Sequence, residues 1–205
     1  MKTTKQKKAE QPVFEIALLV NDEKISLDYE VLQRILSNVV YNAGAEWQPI
    51  VALLAHHPHY QVRQELASFS LLTQETFNHL ISDKNKSVVE DLLRNDLCEQ
   101  FLTQEHIKQI IQRNDTSLLI ALINILHRLC GSETIDNIEW YEKLLTHSDP
   151  EVRKELASSD RLTTEQIMTL TEDKDPLVAK TAKETLSNMD YDEDDYDEDD
   201  ESEDD

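Results

Sequence analysis

An all-α fold, a right-handed α-solenoid of short helical repeats with an acidic tail, is predicted by three observations on this chain of 205 residues. The chain has only two glycines, so tight hairpins, phosphate-cradling loops and dinucleotide fingerprints lack the residue they depend on. It is rich in Leu, Glu, Lys, Gln and Ala, the strong helix formers. Finally, VRQELASFSLLTQE at 62–75 returns as VRKELASSDRLTTE at 152–165, and internal repetition at such spacing marks stacked supersecondary units.

Residues 1–12 form a short lysine-bearing arm that is expected to be disordered. It has no apolar stretch of the kind a secretory signal needs. Residues 13–45 are expected to cap the repeats. VFEIALLV at 13–20 reads as a short strand or a helix, with a hairpin to EKIS as one option. From Asp28 the periodicity turns helical, with Val31, Leu32, Ile35, Leu36, Val39 and Val40 at three- and four-residue spacing. Gly44 and Gly131 each stand at an apparent helix end, where a left-handed cap is expected. Pro49 is expected in the first turn of the next helix.

The repeats occupy 46–189. Residues 62–88 align on 152–178 without a gap, and the shared residues include Val62/Val152, Arg63/Arg153, Leu66/Leu156, Leu72/Leu162, Thr73/Thr163 and Asp83/Asp173. A third copy carries Leu102-Thr103-Gln104-Glu105, with Leu92 and Leu93 in the places of Leu66 and Ala67 and four extra residues before Leu102. A degenerate fourth spans 118–151. The anchors Val62, Val88, Leu118, Val152 and Val178 fall 26, 30, 34 and 26 residues apart. In each unit the leucine packs inward, the threonine caps a helix and the early acid favours the positive end of its dipole. Two short amphipathic helices cannot bury their stripe alone, so neighbours must stack.

Asp149, Pro150, Val152, Arg153, Leu156 and Ala157, followed by L-T-x-E, carry a pattern that resembles the variant leucine-rich repeats and more loosely the HEAT-like repeats. The likeness covers roughly 46–186. It implies a helical-repeat architecture and, for most relatives, an interaction scaffold. A few HEAT-like relatives are DNA glycosylases or pigment lyases, so a DNA-repair enzyme with a basic concave groove is an alternative. The iron–sulfur cluster of one variant leucine-rich repeat protein is not carried over, because its cysteines are missing here.

Candidate chemistry is sparse, and no catalytic, cofactor-binding or metal-binding set is assigned. Cys98 and Cys130 lack C-x-x-C or four-ligand spacing and read as buried thiols in a reducing cytosol. His56, His57 and His59 cluster, but Pro58 breaks the segment, so a polar inter-helix corner is preferred to a zinc or nickel site. Arg63 and Arg153 offer a phosphate or carboxylate grip, against a structural brace through Asp149 or Asp173. Glu65 and Glu155 read as solvated helix residues. Trp47, Trp140 and Tyr141 read as core or as exposed anchors for a partner. Phe69 and Arg161 join the partner-binding candidates because the copies differ there.

Charge separates the last segment from the rest. Residues 190–205, DYDEDDYDEDDESEDD, hold 13 of the chain's 42 acids and none of its 20 bases, which leaves 1–189 at −9 of the total −22. Such a block repels itself and is expected to be disordered. Asp192, Asp195 and Asp199 are its candidate contacts for a basic protein partner, with a purely solubilising tail as the alternative. Direct nucleic-acid binding is not expected, since phosphates need a basic surface. No apolar run reaches the roughly 20 residues of a membrane span. A cytoplasmic monomer is expected.

Overall fold

The computed structural model describes residues 16–39, 44–129, 138–159 and 161–194. Among these, twelve α-helices, one 3₁₀ helix and one two-stranded sheet occur. None of the described helices is long and apolar enough to cross a membrane. The chain divides into two compact units, residues 1–88 and 89–205.

The first unit opens with a hairpin of β1 (Ile16–Val20) and β2 (Glu23–Leu27), antiparallel, with Val20 opposite Glu23 and Ile16 opposite Leu27. Its two-residue turn places Asn21 at φ 51° and Asp22 at φ 65°. Both lie in the left-handed region, which twists a tight hairpin the right way and which Asn and Asp tolerate without glycine. The scarcity of glycine therefore did not exclude a hairpin here. Asp28 Oδ1 accepts the Val31 amide at 2.8 Å and starts α1 (Tyr29–Val39), which buries Leu32 and Leu36. Val40 lies outside the described residues.

A 3₁₀ turn at Ala45–Trp47 leads into α2 (Gln48–Leu54), with Pro49 in its first turn as its sequence position implied. Gly44 precedes the 3₁₀ turn at φ −93°. This is ordinary extended backbone, so the expected left-handed cap is absent there. Gly131 lies outside the described residues. Next come α3 (Tyr60–Ala67) and α4 (Gln74–Ile81), and α3 packs against α1, α2 and α4. Val62, Leu66, Phe77 and Leu80 are fully buried. Helix α5 (Lys86–Leu93) runs through the boundary between the units.

In the second unit, the four residues inserted into the third copy form a helix of their own, α6 (Cys98–Phe101). Then follow α7 (Gln104–Arg113), α8 (Thr116–Arg128), α9 (Ile138–Leu145), α10 (Pro150–Ala157), α11 (Thr164–Thr171) and α12 (Pro176–Asp194). Helix α10 packs against α8, α9, α11 and α12, around a core that includes Leu119, Ile123, Val152, Leu156, Ile167 and Val178. The expected boundary between repeats and acidic tail at 189/190 falls inside α12.

The repeat signature acts locally as its chemistry implies. Anchors Val62, Val88, Leu118, Val152 and Val178 are all buried, as are Leu72, Leu102 and Leu162 ahead of the threonines. Thr73, Thr103 and Thr163 cap α4, α7 and α11, their hydroxyls accepting the amides of Thr76, His106 and Gln166. At Thr103 and Thr163 the side chain three residues on returns a bond to the cap's own amide, at 3.3 and 3.0 Å, closing a capping box. Replacing Thr163 by Ala strands the Gln166 amide. The expected cost is about 1 kcal/mol, read as a lower urea midpoint at unchanged m-value.

Candidate functional site

The duplicated polar chemistry of the chain converges on one corner in each unit. In the first, between α2 and α3, Arg63 donates from Nε to Asp83 Oδ2 at 2.5 Å and from Nη2 to Asp83 Oδ1 at 3.0 Å. Its Nη1 donates to the carbonyls of His57 and Pro58 at 2.6 and 3.1 Å. In the second unit Arg153 repeats the set: Asp173 at 2.7 and 2.9 Å, and the carbonyls of His147 and Ser148 at 2.6 and 3.2 Å. Arg153 and Asp173 keep side-chain exposures of 4% and 10%. A planar guanidinium suits this fork-to-fork geometry, and lysine would not reproduce it.

The surrounding bonds make each corner a closed system. Asp83 Oδ1 also accepts the Asn85 amide, and Asp173 Oδ1 the Asp175 amide, both at 2.8 Å. Asn85 Oδ1 then accepts the Ser87 amide at 3.0 Å and Asp175 Oδ1 the Leu177 amide at 2.9 Å, which starts α5 and α12. On the other flank His57 Nδ1 accepts the His59 amide at 3.2 Å and His147 Nδ1 the Asp149 amide at 3.1 Å. One arginine thus ties the end of one helix pair to the start of the next.

Burial alone would raise the pKa of Asp83, but the bonds from Arg63 and the Asn85 amide outweigh it and hold the carboxyl below its ordinary value. The Arg153 guanidinium, against a smaller opposing effect of burial, does the same for Asp173. Burial lowers the pKa of His57, which favours the neutral ring its Nδ1 acceptor role requires.

Each clasp lines a shallow depression, of about 420 Å³ beside Arg63 and about 280 Å³ beside Arg153. Among several differences in their lining, the two differ in their histidines. His56 and His79 meet in the first with ring centroids 4.0 Å apart, where the second copy has Thr146 and Thr169 at the aligned positions. Desolvation, then the charge of His56, lowers the pKa of His79. His57 and His59 are 5.5 Å apart, with His59 stacked on Tyr29 at 4.4 Å. The three histidines of the HHPH segment therefore serve different neighbours. Among the described residues no group of three or more His, Cys, Asp or Glu is arranged to hold a metal ion.

Of the sequence-predicted contact residues, Trp47 and Phe69 belong to the first unit and Trp140, Tyr141, Arg161 and Asp192 to the second. Phe69, Trp140 and Tyr141 are buried in the core, at 0, 5 and 4% exposure, so of the two readings of Trp140 and Tyr141 the core one holds, and the candidacy of all three as partner contacts is corrected: their rings fill the interior between short helices. Trp47 is half-buried in the 3₁₀ turn and Arg161 is exposed. Asp192 falls in the last turn of α12, while Asp195 and Asp199 lie outside the described residues. Of the two proposed braces for Arg153, Asp173 is the one that binds it. Asp149 instead caps α10 through the Glu151 amide at 3.0 Å and accepts the Thr116 hydroxyl. Glu65, expected to be solvated, receives Gln33 Nε2 and Ser37 Oγ from α1, each at 2.9 Å.

Cys98 is buried, donates to the Leu92 carbonyl at 3.1 Å and has its thiol pKa pushed by burial to about 12, far from the thiolate that redox or metal chemistry uses. Cys130 lies outside the described residues. What the sequence reading missed were the carbonyl acceptors of the clasp, which side-chain patterns do not reveal. The Arg-to-Asp interval, equal in both copies, is the signal that singles out Asp173 over Asp149. Comparison of the chain with protein-family models, curated protein sequences and solved structures finds no match.

Replacing Arg153 by Met leaves Asp173 buried without its partner, with an expected loss of about 3–5 kcal/mol in chemical denaturation. Helices α5 and α8 carry fully buried Val89 and Leu119 at the same register, so a paired Arg153→Leu/Asp173→Ala change is expected to lose less than the single one. Because the folded pKa of Asp173 is depressed, its contribution is complete above the ordinary carboxylate value and fades as pH falls through the folded one. Below about pH 4 the native chain should therefore lose stability more steeply than Asp173→Asn. For the histidine pair, His56→Ala is expected to raise the His79 pKa toward its ordinary value in an NMR titration.

Proposed function

We propose that the chain is a non-enzymatic interaction adaptor. Its helix pairs stack as a right-handed solenoid of the variant leucine-rich or HEAT-like kind, one surface binds a protein partner, and the acidic segment at 190–205 assists when that partner is basic. It works as a cytoplasmic monomer and carries no cofactor. The observation that supports this reading best is that both arginine clasps direct their donors at the chain's own carboxylates and carbonyls. The repeated residues are thus committed to packing and capping. The chain's densest charge, 13 acids in the last 16 residues, belongs to no repeat.

That same density favours a second reading, a chaperone or nucleic-acid mimic for one basic nucleic-acid-binding protein. A polyanionic segment would occupy the surface such a protein offers to phosphates. The two readings part on competition: nucleic acid displaces the partner from a mimic and leaves a repeat-surface adaptor bound.

Affinity capture tests both, with the full chain beside a variant whose carboxylates at 195–205, Asp195 and Asp199 among them, are replaced by amides. Capture at about 50 and 200 mM salt separates charge from shape. A basic protein held less well by the amide variant and at high salt is the expected result. Capture of the same protein by both variants assigns the tail to solubility alone. Turnover of a small molecule by the purified chain, with no protein captured, overturns the adaptor.

A further inference from the structure

Strand β1 has the sequence of a strand flanked on both sides. IALLV is apolar at all five positions. Ile16, Leu18 and Val20 share one face with Ile25 and Leu27 across the ladder, while Ala17 and Leu19 lie on the other with Ser26 and Lys24. Continuous apolar runs belong to strands covered on both faces, whereas edge strands are protected by charge, proline or alternation. Its partner EKISL has that alternation. Yet the sheet has two strands among the described residues, so β1 is an edge. Leu18, Leu19 and Val20 are 50, 72 and 49% exposed. A lone two-stranded hairpin is marginal in water, and a third strand is the ordinary remedy.

We propose that the outer edge of β1 is a strand-docking site for an extended segment of a protein partner, a short apolar stretch flanked at both ends by lysine or arginine. Charge sets the flanks. Asp22 and Glu23 stand at the turn end of β1, and Asp28 and Glu30 follow Leu27, the partner of Ile16 at the other end. Lys24 is the only base between positions 16 and 33. Main-chain bonds along the strand would supply affinity, and alternate side chains on the Leu18 and Leu19 faces would supply selectivity.

A second copy is a poorer occupant. Antiparallel β1 edges would set the acids at one end against those at the other. A five-residue edge, about 17 Å long, is also too short to bury by itself the roughly 800 Å² per partner of a stable dimer. The inference stands on the hairpin alone and shares with the adaptor reading only the sign of the partner's charge.

The test uses the full chain and the synthetic peptide KKVTVTVKK, followed by fluorescence anisotropy and amide hydrogen exchange. Expected are saturable binding and new protection of the β1 amides that face away from β2. Binding should be at least tenfold weaker for EEVTVTVEE and for KKVTVTVKK N-methylated at alternate amides. Leu19→Lys should weaken binding at least tenfold at an unchanged Tm, which shows that the variant folds. No binding, equal binding of the controls, or protection confined to other elements overturns the proposal. It is equally overturned if those amides are already protected without peptide, by the chain's own first residues in a monomer or by a second copy in a dimer. Failure here leaves capture through the repeats or the tail untouched, so the two readings fail separately.

Discussion

The arginine clasp is the interaction on which each unit's architecture depends. Its helices are short: α3, α4, α10 and α11 have eight residues each, too few to be stable alone in water. Their order comes from being held at fixed angles so that the apolar stripes meet. Arg63 and Arg153 do this at the corner, where one side chain binds the carbonyls closing the preceding helix and a carboxylate 20 residues on. The carboxylate in turn receives an amide two residues further along. Every polar group taken from water at this corner gains a partner, which is the condition for burying charge without heavy loss.

This constraint bears on function by subtraction. A guanidinium whose donors are directed at its own chain is not poised to grip an external phosphate, so the most obvious duplicated site is architectural. The inner copies agree. At the same register α5 and α8 place Val89 and Leu119, both fully buried, so the position serves packing whether its occupant is apolar or charged. On the proposed adaptor reading, recognition then falls to residues outside the repeat signature.

Much of the local structure was legible in the sequence because it rests on chemistry confined to a few neighbouring residues. Threonine before x-Glu marked the caps, leucine before threonine marked the core, and the recurring arginine marked a brace through Asp149 or Asp173. Features that depend on three-dimensional surroundings were not legible. Phe69 sits where the other copy has Ser159, and both are buried; Ser159 manages it by accepting the Arg161 amide at 3.1 Å. A difference between copies therefore did not signal a surface. Trp140 and Tyr141 precede an apolar run, which says nothing about the face they occupy. Gly44 was read from its place in the chain, whereas its backbone angle is set by the 3₁₀ turn that follows. The end of α12 escaped composition because helix propagation is cooperative and carries into an acidic run, although carboxylates at that end oppose the dipole.

The central claim is that Arg63 and Arg153 are braces held by their own chain. It is tested most directly by the Nε–Hε resonances of the arginines in an NMR hydrogen-exchange series with added inorganic phosphate. Slow exchange for Arg63 and Arg153, unmoved by phosphate, is the result the account requires. Exchange as fast as that of a solvated guanidinium, or shifts of the Arg63 and Arg153 signals that saturate with phosphate, would contradict it.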